Sequence, residues 1–148
     1  MQNENEARYL KLKEFQDLFE AVFSNMKRQH DFFPKTKYNL ADGHILILRY
    51  LYQVEICKAS DITKYLGITS GGGTVLNETL LKHNLINRFR SETDKRIVQF
   101  SLTSEGLKVV EDIIQHRAAS FVELFQDLEE PEIDQMLSVF RKLSTKLK

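Results

Sequence analysis

The chain has 148 residues, the size of one domain, and its 42% hydrophobic and 28% charged content is that of a globular protein. It holds no apolar run of about 18 residues, which excludes a helical membrane span. A formal net charge of zero excludes a uniformly basic chain, but residues 58–96 carry seven basic against four acidic side chains and residues 97–148 six against nine. Phosphates respond to such a local patch rather than to the global sum.

Two prolines, six glycines and no Trp point to a mostly helical fold. Residues 5–30 read as a long amphipathic helix, with Leu10, Phe15, Leu18, Phe19, Val22, Phe23 and Met26 at three- and four-residue steps. Pro34 ends that periodicity. A second helix covers 40–53, apolar at Ile45, Leu48, Leu51 and Tyr52, and Cys57 falls in a short strand after it. A short third helix covers 61–66, with Ser60 as its candidate N-cap. Gly67 breaks it, and a fourth helix starts near Thr69 or Ser70 and runs to about His83, burying Leu76, Leu80 and Leu81. Asn84 suits the left-handed residue that ends a helix.

The period then changes from helical to alternating. Residues 85–90 and 97–102 are two β-rich runs joined by the polar link Ser91 to Arg96, a hairpin with an exposed tip. Thr103 is the expected N-cap of a fifth helix through Leu107, Val110 and Ile114 to about Phe125. Pro131 suits the first position of a last helix bearing Ile133, Met136, Leu137, Phe140 and Leu143. The expected fold is mainly α with a small β-hairpin wing: a winged helix-turn-helix flanked by terminal helices. Its second helix would enter the major groove.

The text ASDITKYLGIT followed by LLKHNLINRFRSETDKRIVQFSLTSEG resembles the MarR family of transcriptional regulators. The resemblance rests on Leu66-Gly67-Ile68, Leu80 to Leu85, Arg88 and Arg90, Asp94-Lys95-Arg96, and Leu102-Thr103-Ser104-Glu105-Gly106. It implies a winged-helix DNA-binding region at 39–106, and a helical dimerisation region from 1–38 and 107–148, in one compact domain per subunit. It further implies a cytoplasmic homodimer on a pseudo-palindromic double-stranded operator, most simply as an effector-responsive repressor. Arg96 matches the wing-tip arginine that enters a narrow minor groove, and Asp94 the acid that holds it; the bland alternative is a solvated surface ion pair. The N-terminal text MQNENEARYLKLKEF lacks a signal-peptide pattern, and the lone Cys57 forms no internal disulfide, both consistent with the cytoplasm.

The recognition helix departs from the family pattern. It opens Ser70-Gly71-Gly72-Gly73-Thr74, and glycines cost roughly 1 kcal/mol each relative to alanine in a helix. They also leave backbone N–H groups bare for a phosphate, although SGGGT lacks the lysine and the preceding strand of a nucleotide-binding loop. Before His83 the helix holds one cation, Lys82. Base reading is assigned to Ser70, Thr74, Val75, Glu78 and Thr79, using hydroxyls, a methyl contact and a carboxylate that accepts from cytosine, and Gly71 and Gly72 are assigned to DNA contact through their backbone N–H groups. Backbone affinity is assigned to Lys64, Arg88, Arg90, Lys95 and Arg96, with Asp94 in support.

The apolar terminal helices are expected to pair two subunits, against the alternative of packing within one. Tyr38, His44, Arg49 and Tyr52 are candidate effector-pocket residues, against ordinary helix positions. Cys57 reads as a buried structural residue rather than a peroxide sensor. His30, His44, His83 and His116 show no metal-ligand spacing, so no metal or cofactor is expected. No nucleophile–base pair at a recognisable spacing points to an enzyme. The rival to a DNA-binding regulator is a winged-helix protein-interaction module, favoured by the scarcity of cations on the recognition helix.

Overall fold

The computed structural model describes residues 2–29 and 35–147. His30 and Pro34, the expected helix break, lie outside them. Among the described residues six helices and three short strands follow in order: α1 (Gln2–Gln29), α2 (Asp42–Val54), β1 (Ile56–Lys58), α3 (Ala59–Leu66), α4 (Ser70–Lys82), β2 (Ile86–Arg90), β3 (Val98–Leu102), α5 (Ser104–Leu124) and α6 (Glu130–Lys146). The strands form one antiparallel sheet in the order β1-β3-β2. The hairpin expected from the alternation is β2–β3, in register from Ile86 opposite Leu102 to Arg90 opposite Val98. The Cys57 strand adds to the other edge of β3, with Cys57 opposite Phe100.

The core is built on α2. Ile47, Leu48 and Leu51 meet Cys57, Ile62, Leu80, Leu85, Ile86, Phe100 and Val110, all buried. Tyr52, expected on the apolar face, is exposed, and Ile47 takes the buried place instead. On a 13-residue helix, the arc facing both the sheet and α5 runs through 45, 47, 48 and 51 and leaves 52 outside. Cys57 is buried, and burial followed by repulsion from Asp61 pushes its thiol up to about 11. Such a group is poorly nucleophilic.

Helix ends follow local chemistry. The Lys58 N–H donates to Asp61 Oδ2 at 2.9 Å, so the cap of α3 is Lys58 and not Ser60. Gly67 closes α3 in the left-handed conformation at φ 65°. Thr69 caps α4, accepting the Gly72 N–H at 3.1 Å. Asn84 is left-handed at φ 56°, and the Leu85 N–H reaches back to the Leu80 carbonyl at 3.0 Å, closing the end of α4. Pro131 sits in the first turn of α6, one residue after its start.

The tightest junction is at the start of α5. Thr103 Oγ1 accepts the Gly106 N–H at 2.9 Å, its hydroxyl donates to the Asn84 carbonyl at 2.7 Å, and its own N–H donates to the Leu85 carbonyl at 3.1 Å. One threonine thus joins α5 to the α4–β2 turn. Gly106 lies so close beneath it that a Cβ there would stand 1.9 Å from the Leu85 oxygen.

The terminal helices behave differently. Residues 3–25 of α1 are exposed throughout, and Met26 is its one buried residue among those described. α6 buries none. The apolar stripes expected there are present but face outward. Phe15, Phe19 and Phe23 form a row on α1 with ring centroids 6.1 and 6.3 Å apart.

Candidate nucleic-acid interface

α4 presents the stripe Ser70, Gly71, Thr74, Val75, Glu78 and Lys82 to solvent, and Asn77 and Leu80 to the interior. This is the periodicity of a helix with one face in a core and the other free. The hydroxyls of Thr74 and Thr79 donate to the carbonyls of Ser70 and Val75, at 3.0 and 3.2 Å. Each hydroxyl proton is thus engaged by the backbone, which leaves the oxygen as an acceptor. The glycines are not equivalent. Gly71 is open, the Gly72 N–H is already taken by Thr69, and a Cβ on Gly73 would meet Thr63 Cγ2 at 2.6 Å. Gly73 lets α3 and α4 approach closely, which gives one of the three helical glycines a packing reason that its sequence context hides.

The wing is organised by Ser91, a residue not singled out from the sequence. It is buried, its N–H donates to the Ile97 carbonyl at 2.9 Å, and its Oγ accepts the N–H groups of Thr93 and Asp94 at 3.3 and 3.4 Å. The available signal was a Ser opening a polar Ser-Glu-Thr-Asp run, a turn-forming pattern. Arg90 Nη1 donates to the Lys95 carbonyl at 2.8 Å, bracing the tip from below. Asp94 takes the Arg96 backbone N–H at 3.0 Å and its guanidinium through Nε and Nη2 at 3.1 and 3.2 Å. The Arg96 guanidinium and backbone hold the Asp94 carboxyl below its usual range. The Arg96 side chain is still 91% exposed. It is oriented by a two-pronged partner and left open to a groove.

The backbone-contact candidates thus divide. Arg88 pairs with Glu78 of α4 at 2.5 Å, Arg90 is spent on the tip carbonyl, and Arg96 is aimed by Asp94. Lys64 and Lys95 are exposed and carry no ion pair among the described residues.

Of the four effector-pocket candidates, Tyr38 lines a groove. This groove, of about 440 Å³, lies between residues 35–38 and α5 and is lined among others by Lys35, Tyr38, Lys108 and His116. The Tyr38 hydroxyl donates to Glu105 Oε1 at 2.7 Å, and its ring lies 5.3 Å from that of His83. Arg49 sits near enough to Arg117 of α5 to help burial lower that guanidinium's proton affinity, and Tyr52 is exposed. His44 is a cap: its Nδ1 accepts the Ala41 N–H at 3.0 Å at the start of α2.

Burial first, and then the neighbouring His83, lower the His44 pKa below its ordinary 6.5. The native fold thus favours the neutral ring, whose Nδ1 lone pair makes the cap. The unfolded chain takes up the proton first on acidification. His44 therefore contributes its full stability above pH 6.5 and loses it as pH falls through the lowered folded value. We expect the melting temperature to drop below pH 6.5, and less steeply in His44→Gln, which keeps an acceptor at that cap position without titrating. Superimposable pH profiles would rule His44 out as the source.

A family model described as transcriptional regulator SarA/Rot matches residues 33–113, more than half of the chain. The chain belongs to the SarA/Rot family of transcriptional regulators. The MarR resemblance carried by residues 59–106 agrees with the relatives of this SarA/Rot regulator. It is 26% identical over 108 residues to the HTH-type transcriptional repressor MdtR of Bacillus subtilis, covering 73% of this chain and 70% of that one. A Staphylococcus aureus MepR variant bound to an oligodeoxyribonucleotide superposes with a TM-score of 0.65 at 26% identity, covering 90% and 98% of the two chains. A MarR family protein from Bacillus stearothermophilus shares the fold at a TM-score of 0.82 and 17% identity, covering 93% and 95%. The mainly α fold with a small β wing expected from the sequence is the fold found. No described helix is long and apolar enough to cross a membrane.

Proposed function

We propose that this SarA/Rot regulator is a cytoplasmic homodimer that represses transcription by gripping a pseudo-palindromic operator, and that a small-molecule effector releases it. The observation that carries the DNA reading is the wing tip. Arg96 is fully presented yet held in one orientation by Asp94, next to a helix with a free polar stripe. An oriented arginine on a hairpin tip suits the enhanced negative potential of a narrow minor groove, with α4 in the adjacent major groove. The dimer reading is supported by the outward rows of α1 and α6, a large apolar area for a monomer to leave in water. Two-fold symmetry would then set the half-sites about one helical turn apart. An effector would enter the groove beside Tyr38, which adjoins His83 at the C-terminal end of α4.

Few cations are free, so few phosphates are neutralised per subunit. Titrating labelled duplex from its own promoter at several salt concentrations is expected to give a modest slope, each phosphate contributing about 0.9 to the log–log dependence. A slope equivalent to ten or more contacts per dimer would overturn this division of labour. Specific binding lost entirely to excess nonspecific DNA would favour the protein-interaction module instead, which the nearly cation-free stripe of α4 keeps as the second reading.

A further inference from the structure

The Glu78–Arg88 pair is not accounted for by the wing. Glu78 stands in the middle of the exposed stripe of α4, the wrong charge for a surface that meets phosphates. Arg88 projects from β2 opposite the buried Phe100, hence on the sheet face turned toward the helices. From there its Nη1 donates to Glu78 Oε1 at 2.5 Å. Both side chains remain about half exposed, 51% for Arg88 and 54% for Glu78. The arginine's seat is set by the β2–β3 ladder and the glutamate's by α4, so the pair is held by two rigid elements rather than by a loop.

We propose that Glu78 is a specificity-determining residue that reads the amino group of a cytosine, and that Arg88 is its positioning residue. This rests on the DNA-binding reading above and assigns the base chemistry to one part of it. In the major groove guanine offers acceptors at N7 and O6 and thymine an acceptor at O4, each repelling a carboxylate; adenine sets its N6 donor beside the N7 acceptor, which repels it too, while cytosine offers an N4 donor without such a neighbour. Arg88 engages Oε1, which leaves Oε2 with its lone pairs for that donor. A guanidinium has five N–H groups in a fixed fork, so Arg88 can hold Glu78 and contact a phosphate together. DNA lacking the donor leaves Oε2 facing acceptors and is rejected. The acid thus lowers affinity for arbitrary sequence and spares the right one, which reconciles a cation-poor reading helix with sequence selection.

The test uses the full chain and a randomised duplex library, selected in parallel with the wild type, Glu78→Gln, Arg88→Lys and Arg88→Ala, each first shown to melt normally. The wild type is expected to enrich a site with cytosine at one position of each half. Glu78→Gln is expected to lose about tenfold of that preference, or to move it to adenine, which a Gln amide pairs, and to bind unselected duplex several-fold more tightly. Arg88→Ala is expected to weaken both, and Arg88→Lys to recover general affinity better than base preference, because an ammonium lacks the fork. Glu78→Gln enriching the wild-type site with unchanged affinity for unselected duplex would overturn the proposal while leaving DNA binding intact. Failure of the wild type to enrich any site would overturn the DNA-binding reading itself.

Discussion

Gly106→Ala is expected to destabilise the winged-helix region by on the order of 3 kcal/mol or more, the upper range for forcing atoms into a packed site. An added Cβ would stand 1.9 Å from the Leu85 oxygen and 2.9 Å from its carbonyl carbon. Backbone, not a flexible side-chain end, is in the way. That carbonyl cannot retreat cheaply, because it accepts the Thr103 N–H at 3.1 Å. Shifting α5 instead would break the Thr103 cap on Gly106 and its bond to Asn84, both part of the same junction. For a chain of this size the melting temperature should fall by roughly 6–12 °C. Gly71→Ala is the control: a Cβ there meets nothing within 4 Å, so removing a helical glycine should stabilise by about 0.5–1 kcal/mol. Thermal unfolding followed by far-UV circular dichroism compares the two. A Gly106→Ala protein melting within 2 °C of the wild type would refute the close-approach argument.

The second large effect concerns the terminal helices. Phe19→Asp combined with Phe140→Asp is expected to convert the proposed dimer to a monomer while leaving each winged-helix core folded. Phe19 is 47% and Phe140 51% exposed within one chain, and neither belongs to the α2-centred core. Charge placed there costs little inside a subunit and much in an interface that must exclude water. Binding to a two-half-site operator should then fall by about 10²–10⁴-fold, because the second half-site no longer binds as an intramolecular event. Sedimentation equilibrium gives the mass, and DNA titration on one and two half-sites gives the coupling. A variant that remains a dimer, or a wild type that sediments as a monomer at micromolar concentration, would refute the pairing of these helices.

Much of the fold was legible because short-range signals agree with one another. The change from 3.6-residue to two-residue periodicity placed α4, β2 and β3. Gly67 marked a helix break, Asn84 a left-handed end and Thr103 a cap, all as found. The misplaced features were those settled by competition between neighbours. Ser60 had the right chemistry for a cap, but Asp61 reached the Lys58 N–H one turn earlier. Tyr52 fitted an apolar stripe, but two packed layers drew Ile47 inward instead.

The wing shows the same division. Its charges and turn residues were set by order along the chain: Asp94 stands two residues before Arg96, and their contact is local. The sequence by itself determined the helix-turn-helix, the hairpin and the residues at its tip, because those depend on backbone preferences and contacts within a few positions. Only the tertiary structure decided that Arg88 answers Glu78 ten residues away, that Gly106 must be bare because Leu85 lies under it, and that the phenylalanines of α1 face outward. Those outcomes turn on where separate elements come to rest against one another. Spacing along a chain does not encode that, since the facing partner lies on another helix or strand.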